Sequence, residues 1–159
     1  MAQAKAGSKE EAVFSLLSAK VSGIVLSGKR RFQTENVEIS TDESFTDNGV
    51  NYLVEVDSGN MAKVLVGQYV LINALTDADK EKPFFLVVHT YKNYNPQRTL
   101  SNLAFANQQL FANKGIPYGA IHLSTLEQWN GGNVAQLVAL FTQAQQVAPG
   151  DAKSGAPEL

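Results

Sequence analysis

The residues with the most evident chemistry are aromatic and cationic side chains that follow an apolar run. The run FFLVVHTY (84–91) leads into Lys92, Tyr94 and Arg98, with amide side chains between them. A similar group, GKRRF (28–32), lies earlier in the chain. Proteins that bind single-stranded nucleic acid combine cations that contact phosphates with rings on which bases stack. The candidate nucleic-acid-binding residues are therefore Lys29, Arg30, Arg31, Phe32, Tyr91, Lys92, Tyr94 and Arg98.

Enzymatic signatures are missing from the sequence. It contains no cysteine, which excludes disulfides, thiolate nucleophiles and cysteine-bound zinc. It also lacks the HExxH, P-loop, GxSxG and GxGxxG patterns. His89 and His122 lie in apolar segments, where a packed, hydrogen-bonded imidazole is a better interpretation than a catalytic one. We therefore expect no catalytic residue, no metal site and no cofactor, and a protein that is not an enzyme.

One acidic pattern keeps a weaker alternative open. Glu55 and Asp57 are two residues apart on a predicted strand, so their side chains share a face. With Asp79 or Glu81 they could hold a divalent ion through oxygen ligands. A solvated acidic face explains the same residues more simply. Metal-dependent hydrolysis is accordingly the third hypothesis.

The length and composition fit one globular domain. The 159 residues are 44% hydrophobic and 18% charged, which allows a substantial core. The net charge of −2 hides an uneven distribution: residues 41–90 hold three basic and eight acidic side chains, whereas residues 1–40 hold six and four. A local basic patch is compatible with this total, because charge distribution sets electrostatic attraction.

Neither a signal peptide nor a membrane span is indicated. The N-terminal apolar part is short and follows two glutamates, Glu10 and Glu11. No apolar run approaches the roughly 18 residues of a transmembrane helix. We expect a cytoplasmic protein with no membrane partner. Residues 1–8 and 148–159 are expected to be flexible ends because of their composition.

Short β-forming runs precede helical patterns along the chain. After a short helix at 9–18, turn signals such as Asp47-Asn48-Gly49 separate predicted strands at 20–32, 37–45, 50–56, 69–75 and 84–91. After Pro96 the apolar spacing becomes helical and predicts helices at 100–114 and 133–147. Gly131-Gly132 should interrupt the second helical region, with Trp129 anchoring the turn. One domain would span 9–147, with a β unit at about 20–95 and a helical part at about 99–147.

The β-forming segments AKVSGIVLSGKRRF, VEIS, NYLVEV, GQYVLINA and FFLVVHTYKNYN together resemble the OB fold of small single-stranded DNA-binding proteins, including those of bacteriophages. The resemblance covers roughly residues 20–95 and is one of layout, without a diagnostic motif. It implies an α+β fold class, with an OB-like antiparallel barrel or bent sheet of five to six strands followed by a helical C-terminal third. It also implies a protein of DNA replication that binds single-stranded nucleic acid and forms homo-oligomers.

Two features depart from that family. The helix that usually joins the third and fourth strands has no room here. The tail, GDAKSGAPEL, carries only Asp151 and Glu158 instead of a strongly acidic segment. The competing hypothesis is a structural or assembly subunit of a phage virion or similar particle, which the helices rich in Ala, Gln and Asn favour.

Overall fold

A computed structural model of the chain describes residues 7–143. The last residues of the helix predicted at 133–147 and the expected flexible ends lie outside this range, apart from Gly7 and Ser8, which cap and begin the first helix. The elements follow in the order α1 (Ser8–Lys20), β1 (Arg30–Gln33), β2 (Glu38–Thr41), β3 (Glu43–Asp47), β4 (Val50–Asp57), α2 (Ala62–Leu75), α3 (Ala78–Glu81), β5 (Pro83–His89), α4 (Gln97–Phe111), β6 (Tyr118–His122), α5 (Leu123–Gln128) and α6 (Val134–Thr142).

A four-stranded mixed sheet with the order β3-β4-β5-β6 organises the chain. β3 and β4 form an antiparallel hairpin whose two-residue turn, Asn48-Gly49, has positive φ angles of 48° and 77°. A turn with two positive φ angles matches the right-handed twist of the strands it joins. β4, β5 and β6 run parallel, connected through α2 and α4. A separate two-stranded antiparallel sheet, β1-β2, packs near α2.

The two faces of the sheet bury separate apolar cores, because successive strand residues point in opposite directions. Val54, Leu86 and Ile121 face the core formed with α1, α5 and α6. Leu53 and Phe85 face the core formed with α2 and α4. Within residues 7–143, no helix is long and apolar enough to cross a bilayer.

The α+β class is confirmed, but the sheets do not close into a barrel, and two of the three strand pairings in the larger sheet are parallel. The strand predicted at 69–75 is wrong, because this segment is the second half of α2. Its buried side chains Leu65, Tyr69 and Ile72 follow helical spacing, which a short apolar window does not distinguish from a strand. Of the strand predicted at 20–32, only residues 30–32 lie in a sheet, as part of β1.

The predictions after Pro96 agree better with the structure. α4 covers most of the predicted 100–114, and α5 ends before the two glycines. Asn133 caps α6 with a reciprocal bond to Gln136, as a capping box does. Gly131 has a φ of 100°, and a Cβ there would lie 2.8 Å from the Lys20 carbonyl oxygen. Trp129 packs against the α1, α5 and α6 core as a half-buried residue.

Two glycines give a matched test of this packing. A Cβ on Gly119 would lie 2.6 Å from Cβ of Phe141 and 2.8 Å from its carbonyl oxygen, so Gly119→Ala should destabilise the protein by about 1–3 kcal/mol. Gly67 lies in α2 with nothing within 4 Å of an added Cβ, so Gly67→Ala should stabilise it by about 0.5–1 kcal/mol. Urea unfolding measures both. Equal effects of the two substitutions would contradict the packing of α6 on β6.

Candidate functional site

Three polar side chains lie side by side where the parallel strands end. Asp57 is the register partner of His89, and His89 is the partner of His122. Each is the last residue of its strand. In sheets of parallel strands joined by helices, ligands bind outside the carboxyl ends of the strands. This edge of the sheet is therefore the candidate site.

A pair of carboxylates, Asp42 and Glu55, lies next to this edge. The hairpin register aligns Glu43 with Val54, so Asp42 comes opposite Glu55. The Val56 backbone N–H donates to Oδ2 of Asp42 at 2.8 Å, and the Asp42 backbone N–H bonds back to the Glu55 carboxylate. These bonds hold the two acidic side chains together across the hairpin.

Both carboxyl groups are held in a setting that disfavours their charge. Burial, together with the charges of Asp42 and Asp57, raises the pKa of Glu55 to about 7, against the lowering effect of the Gln68 side chain and the Asp42 backbone N–H. Burial also raises the pKa of Asp42, opposed by the Val56 N–H and the positive charge of Lys29. Oε2 of Glu55 is shielded from solvent and has no hydrogen-bond partner in the described part of the chain. Such an atom in a native protein requires an explanation, and a bound ion is one.

Asp57 differs from Glu55 because both of its carboxylate oxygens are engaged. Oδ1 accepts from the Gly59 N–H at 3.2 Å, and Oδ2 pairs with Nδ1 of His89 at 3.1 Å. The metal partners suggested from sequence are elsewhere, since Asp79 is exposed on α3 and Glu81 pairs with Arg30. Between residues 7 and 143, no group of three or more acidic or histidine side chains is arranged to hold a metal ion.

The buried imidazole of His89 belongs to a closed hydrogen-bond network. Its Nε2 lies 2.8 Å from Oγ1 of Thr99, which lies 3.1 Å from the Tyr94 hydroxyl. With Nδ1–H donating to Asp57, a chain of donors from Tyr94 through Thr99 to His89 satisfies every group. Thr99 is fully buried and the Tyr94 ring stacks on His89, so the Asp–His–Thr order is not an accessible nucleophile system. The packed, hydrogen-bonded histidine expected from sequence is confirmed.

The eight predicted binding residues separate into covered and exposed sets. Phe32 is 5% exposed in the α2–α4 core, and Tyr94 is 6% exposed beneath Arg98. Neither ring offers a free face to a base in this structure. Arg30 and Arg31 form ion pairs with Glu81 at 2.9 Å and Glu38 at 3.2 Å. Four of the eight are exposed and have no ion pair with any residue in 7–143: Lys29, Tyr91, Lys92 and Arg98.

The four exposed residues belong to three segments near the carboxyl ends of the parallel strands. Lys29 acts on the charge of Asp42, and its loop is fixed by bonds between Ser27, Gly28 and β3. Tyr91 and Lys92 follow directly after β5. Arg98 donates to Oδ1 of Asn60, in the loop after β4, at 3.1 Å. Sequence reasoning missed Asp42, although the turn signal at Asn48-Gly49 was sufficient to place it opposite Glu55.

Comparisons with known proteins add little to this geometry. Neither a protein-family model nor a curated protein matches the chain. A solved structure, the crystal structure of the protein of unknown function AF1548, has 12% identity and a TM-score of 0.39, over 91% of this chain and 69% of that one. A likeness at this level supports no conclusion about fold or function.

The raised pKa of Glu55 makes stability depend on pH. Because the folded-state value is about 7 and the ordinary value is 4.5, stability is fully present below pH 4.5 and is lost as pH rises towards 7. Glu55→Gln removes that loss, and we expect it to stabilise the protein at pH 8 by on the order of 1–3 kcal/mol. The gain should shrink towards pH 4.5. Urea unfolding at several pH values measures it, and a gain that does not vary with pH would contradict a buried titrating carboxyl.

The network around His89 predicts a large effect from a small change. Thr99→Val leaves the Tyr94 hydroxyl and Nε2 of His89 without their shared partner, so we expect a loss of about 1–3 kcal/mol. The matched control is Thr125→Val on α5, which is exposed and should change stability by less than about 0.5 kcal/mol. Thermal unfolding compares them. A Thr99→Val protein as stable as wild type would show that the network is not closed.

Proposed function

We propose that the protein hydrolyses phosphodiester bonds of a nucleic-acid strand with a divalent cation held by Asp42 and Glu55. The observation that carries the proposal is the buried, unpartnered Oε2 of Glu55 beside a second carboxylate whose pKa is also raised. This function departs from the expectation of a non-enzymatic protein. It modifies the third sequence hypothesis: Glu55 is kept, and Asp42 replaces Asp57 and the third ligand first sought in Asp79 or Glu81.

Ionisation of both Asp42 and Glu55 is unfavourable without a cation, because their negative charges repel each other. A divalent cation between them removes their mutual repulsion and supplies the missing partner of Glu55. Mg²⁺ requires few protein ligands, because one or two carboxylates plus substrate phosphates and water complete its octahedral shell. A pair of carboxylates without a third acidic ligand therefore suits Mg²⁺ at a phosphate-binding site better than a structural zinc site.

The same residues suit phosphodiester chemistry. A bound divalent cation would acidify water and stabilise charge on phosphate oxygens. Asp42 and Glu55 would hold the cation in place. The exposed Lys29 beside Asp42 would offset the negative charge of the phosphate. In the hydrolysis, water adds to phosphorus, one P–O ester bond breaks, and the leaving oxygen takes up a proton. No oxidant or cosubstrate is needed.

A polymeric substrate is supported by exposed cations on separate segments near the carboxyl ends of the strands. Lys29 lies on the loop before β1, and Lys92 and Arg98 flank the turn after β5. Their exposure also favours a second candidate function, binding of single-stranded nucleic acid without cleavage. The two candidates share a surface and differ in whether the carboxylate pair acts on the strand.

Incubation with a labelled single-stranded oligonucleotide distinguishes them. We expect Mg²⁺-dependent cleavage that EDTA abolishes and that Glu55→Gln or Asp42→Asn lowers by about 100-fold or more, because several kcal/mol of charge stabilisation are lost. Glu35→Gln is the matched control, an exposed glutamate in the segment between β1 and β2, and should cleave like wild type. Binding without cleavage in Mg²⁺ would contradict hydrolysis and favour the second candidate.

A further inference from the structure

The loop that follows β5 is fixed at its start and at its turn. The Thr90 N–H donates to the Asp57 carbonyl oxygen at 2.9 Å, which continues the pairing of β4 with β5. The Tyr91 carbonyl oxygen accepts from Nε2 of His122 at 2.9 Å and from the Tyr94 N–H at 3.1 Å. The tautomer of His122 fits this role, because its Nδ1 accepts from the Ser124 N–H at 3.1 Å and leaves the proton on Nε2.

The far side of the loop is held equally firmly. The Tyr94 ring stacks on His89 with centroids 4.0 Å apart and planes 23° apart. The Arg98 guanidinium lies 5.6 Å from the Tyr94 ring centroid and also bonds to Asn60. The loop is therefore anchored to the ends of all three parallel strands and to the start of α4.

The Tyr91 ring is the exception within this rigid loop. It is 45% exposed, and it stacks on no other ring in the described part of the chain. Its backbone is thus fixed by two neighbours while its ring faces solvent. Exposed aromatic rings that need no rearrangement before binding pay little ordering entropy when a flat ligand stacks on them.

We infer that Tyr91 is a stacking subsite for an unpaired nucleobase and that it selects single-stranded substrate for the carboxylate pair. The inference rests on the proposed function, whose substrate it specifies. Every base offers a π-face, so stacking tolerates any sequence. A base inside a duplex is already stacked and paired, and its extraction costs a few kcal/mol. Tyr91 therefore favours single strands over duplexes.

The position of Tyr91 allows one nucleic-acid strand to contact both the Tyr91 ring and the carboxylate pair. Asp57 on β4 and His89 on β5 are register partners. Glu55 lies two residues before Asp57, and Tyr91 lies two residues after His89. Because β5 ends at His89, four residue steps of about 3.3 Å give an upper limit of about 13 Å for the separation of the two levels along the strand direction. A few nucleotides span this distance, and the exposed cations Lys92, next to Tyr91, and Arg98, at the start of α4, are available to contact phosphates.

Binding in EDTA separates this subsite from hydrolysis. The probe is a fluorescent single-stranded oligonucleotide, compared with a duplex of the same sequence by anisotropy titration at low salt. We expect wild type to prefer the single strand and Tyr91→Ala to weaken its binding by about 5- to 150-fold. Tyr91→Leu, which keeps apolar surface but no ring, should weaken it similarly, whereas Tyr91→Phe should retain most of the affinity. Phe105→Ala is the control, because Phe105 is an aromatic residue on α4 that is even more exposed, at 66%.

The outcomes separate the two proposals. Loss of single-strand affinity in Tyr91→Ala and Tyr91→Leu, with duplex affinity and melting temperature unchanged, supports the subsite even if no cleavage occurs in Mg²⁺. Cleavage that depends on Glu55 but not on Tyr91 keeps the hydrolase and overturns the subsite. Wild-type affinity for the single strand in Tyr91→Ala, equal affinity of wild type for both probes, or no binding by wild type to either probe also overturns it.

Discussion

The register of the β3–β4 hairpin is the constraint on which the site depends. The two-residue turn at Asn48-Gly49 leaves one pairing in which each strand keeps its apolar side chains towards a core. That pairing brings Asp42 opposite Glu55 and places both carboxyl groups where partial burial raises their pKa values. A slip of one residue would turn Leu53 and Glu55 to the opposite face and separate the two acids. Burial of the apolar side chains of β3 and β4 therefore stabilises a pairing that keeps the two acidic groups close together.

Two polar clusters on the same face of the sheet differ in how well they are satisfied. The chain from Asp57 through His89 and Thr99 to Tyr94 has a partner for each group and ties the strand ends to α4. The neighbouring pair of Asp42 and Glu55 carries raised pKa values and an unpartnered oxygen. Fully satisfied networks rigidify a core, whereas unsatisfied polar groups cost stability and persist where they serve a function. We infer that the first cluster stabilises the fold and that the second holds the cation of the proposed hydrolysis.

The local signals of the sequence predicted some elements well and others badly, for physical reasons. Asn48-Gly49, the capping residue Asn133 and the glycines before it act through short-range backbone geometry, and their predictions are confirmed. The residues of YVLINAL suit a helix as well as the predicted strand. Only the packing of Tyr69 and Ile72 against β5 and α4 favours the helix. The parallel order of β4, β5 and β6 arises from long-range pairing, which local patterns do not encode. The burial of Tyr94 and Phe32 has the same origin.

The central claim is that a divalent cation binds between Asp42 and Glu55, and paramagnetic broadening by Mn²⁺ tests it most directly. In amide NMR spectra at pH 7.5, substoichiometric Mn²⁺ should broaden the signals of Asp42, Glu55, Val56 and Gln68 first, because paramagnetic relaxation falls steeply with distance. Signals of Leu137 and Phe141, on the opposite face of the sheet, should stay sharp. The pattern should disappear in Glu55→Gln. Broadening centred instead on exposed acids such as Glu11 and Asp79, or none at the hairpin, would contradict the account.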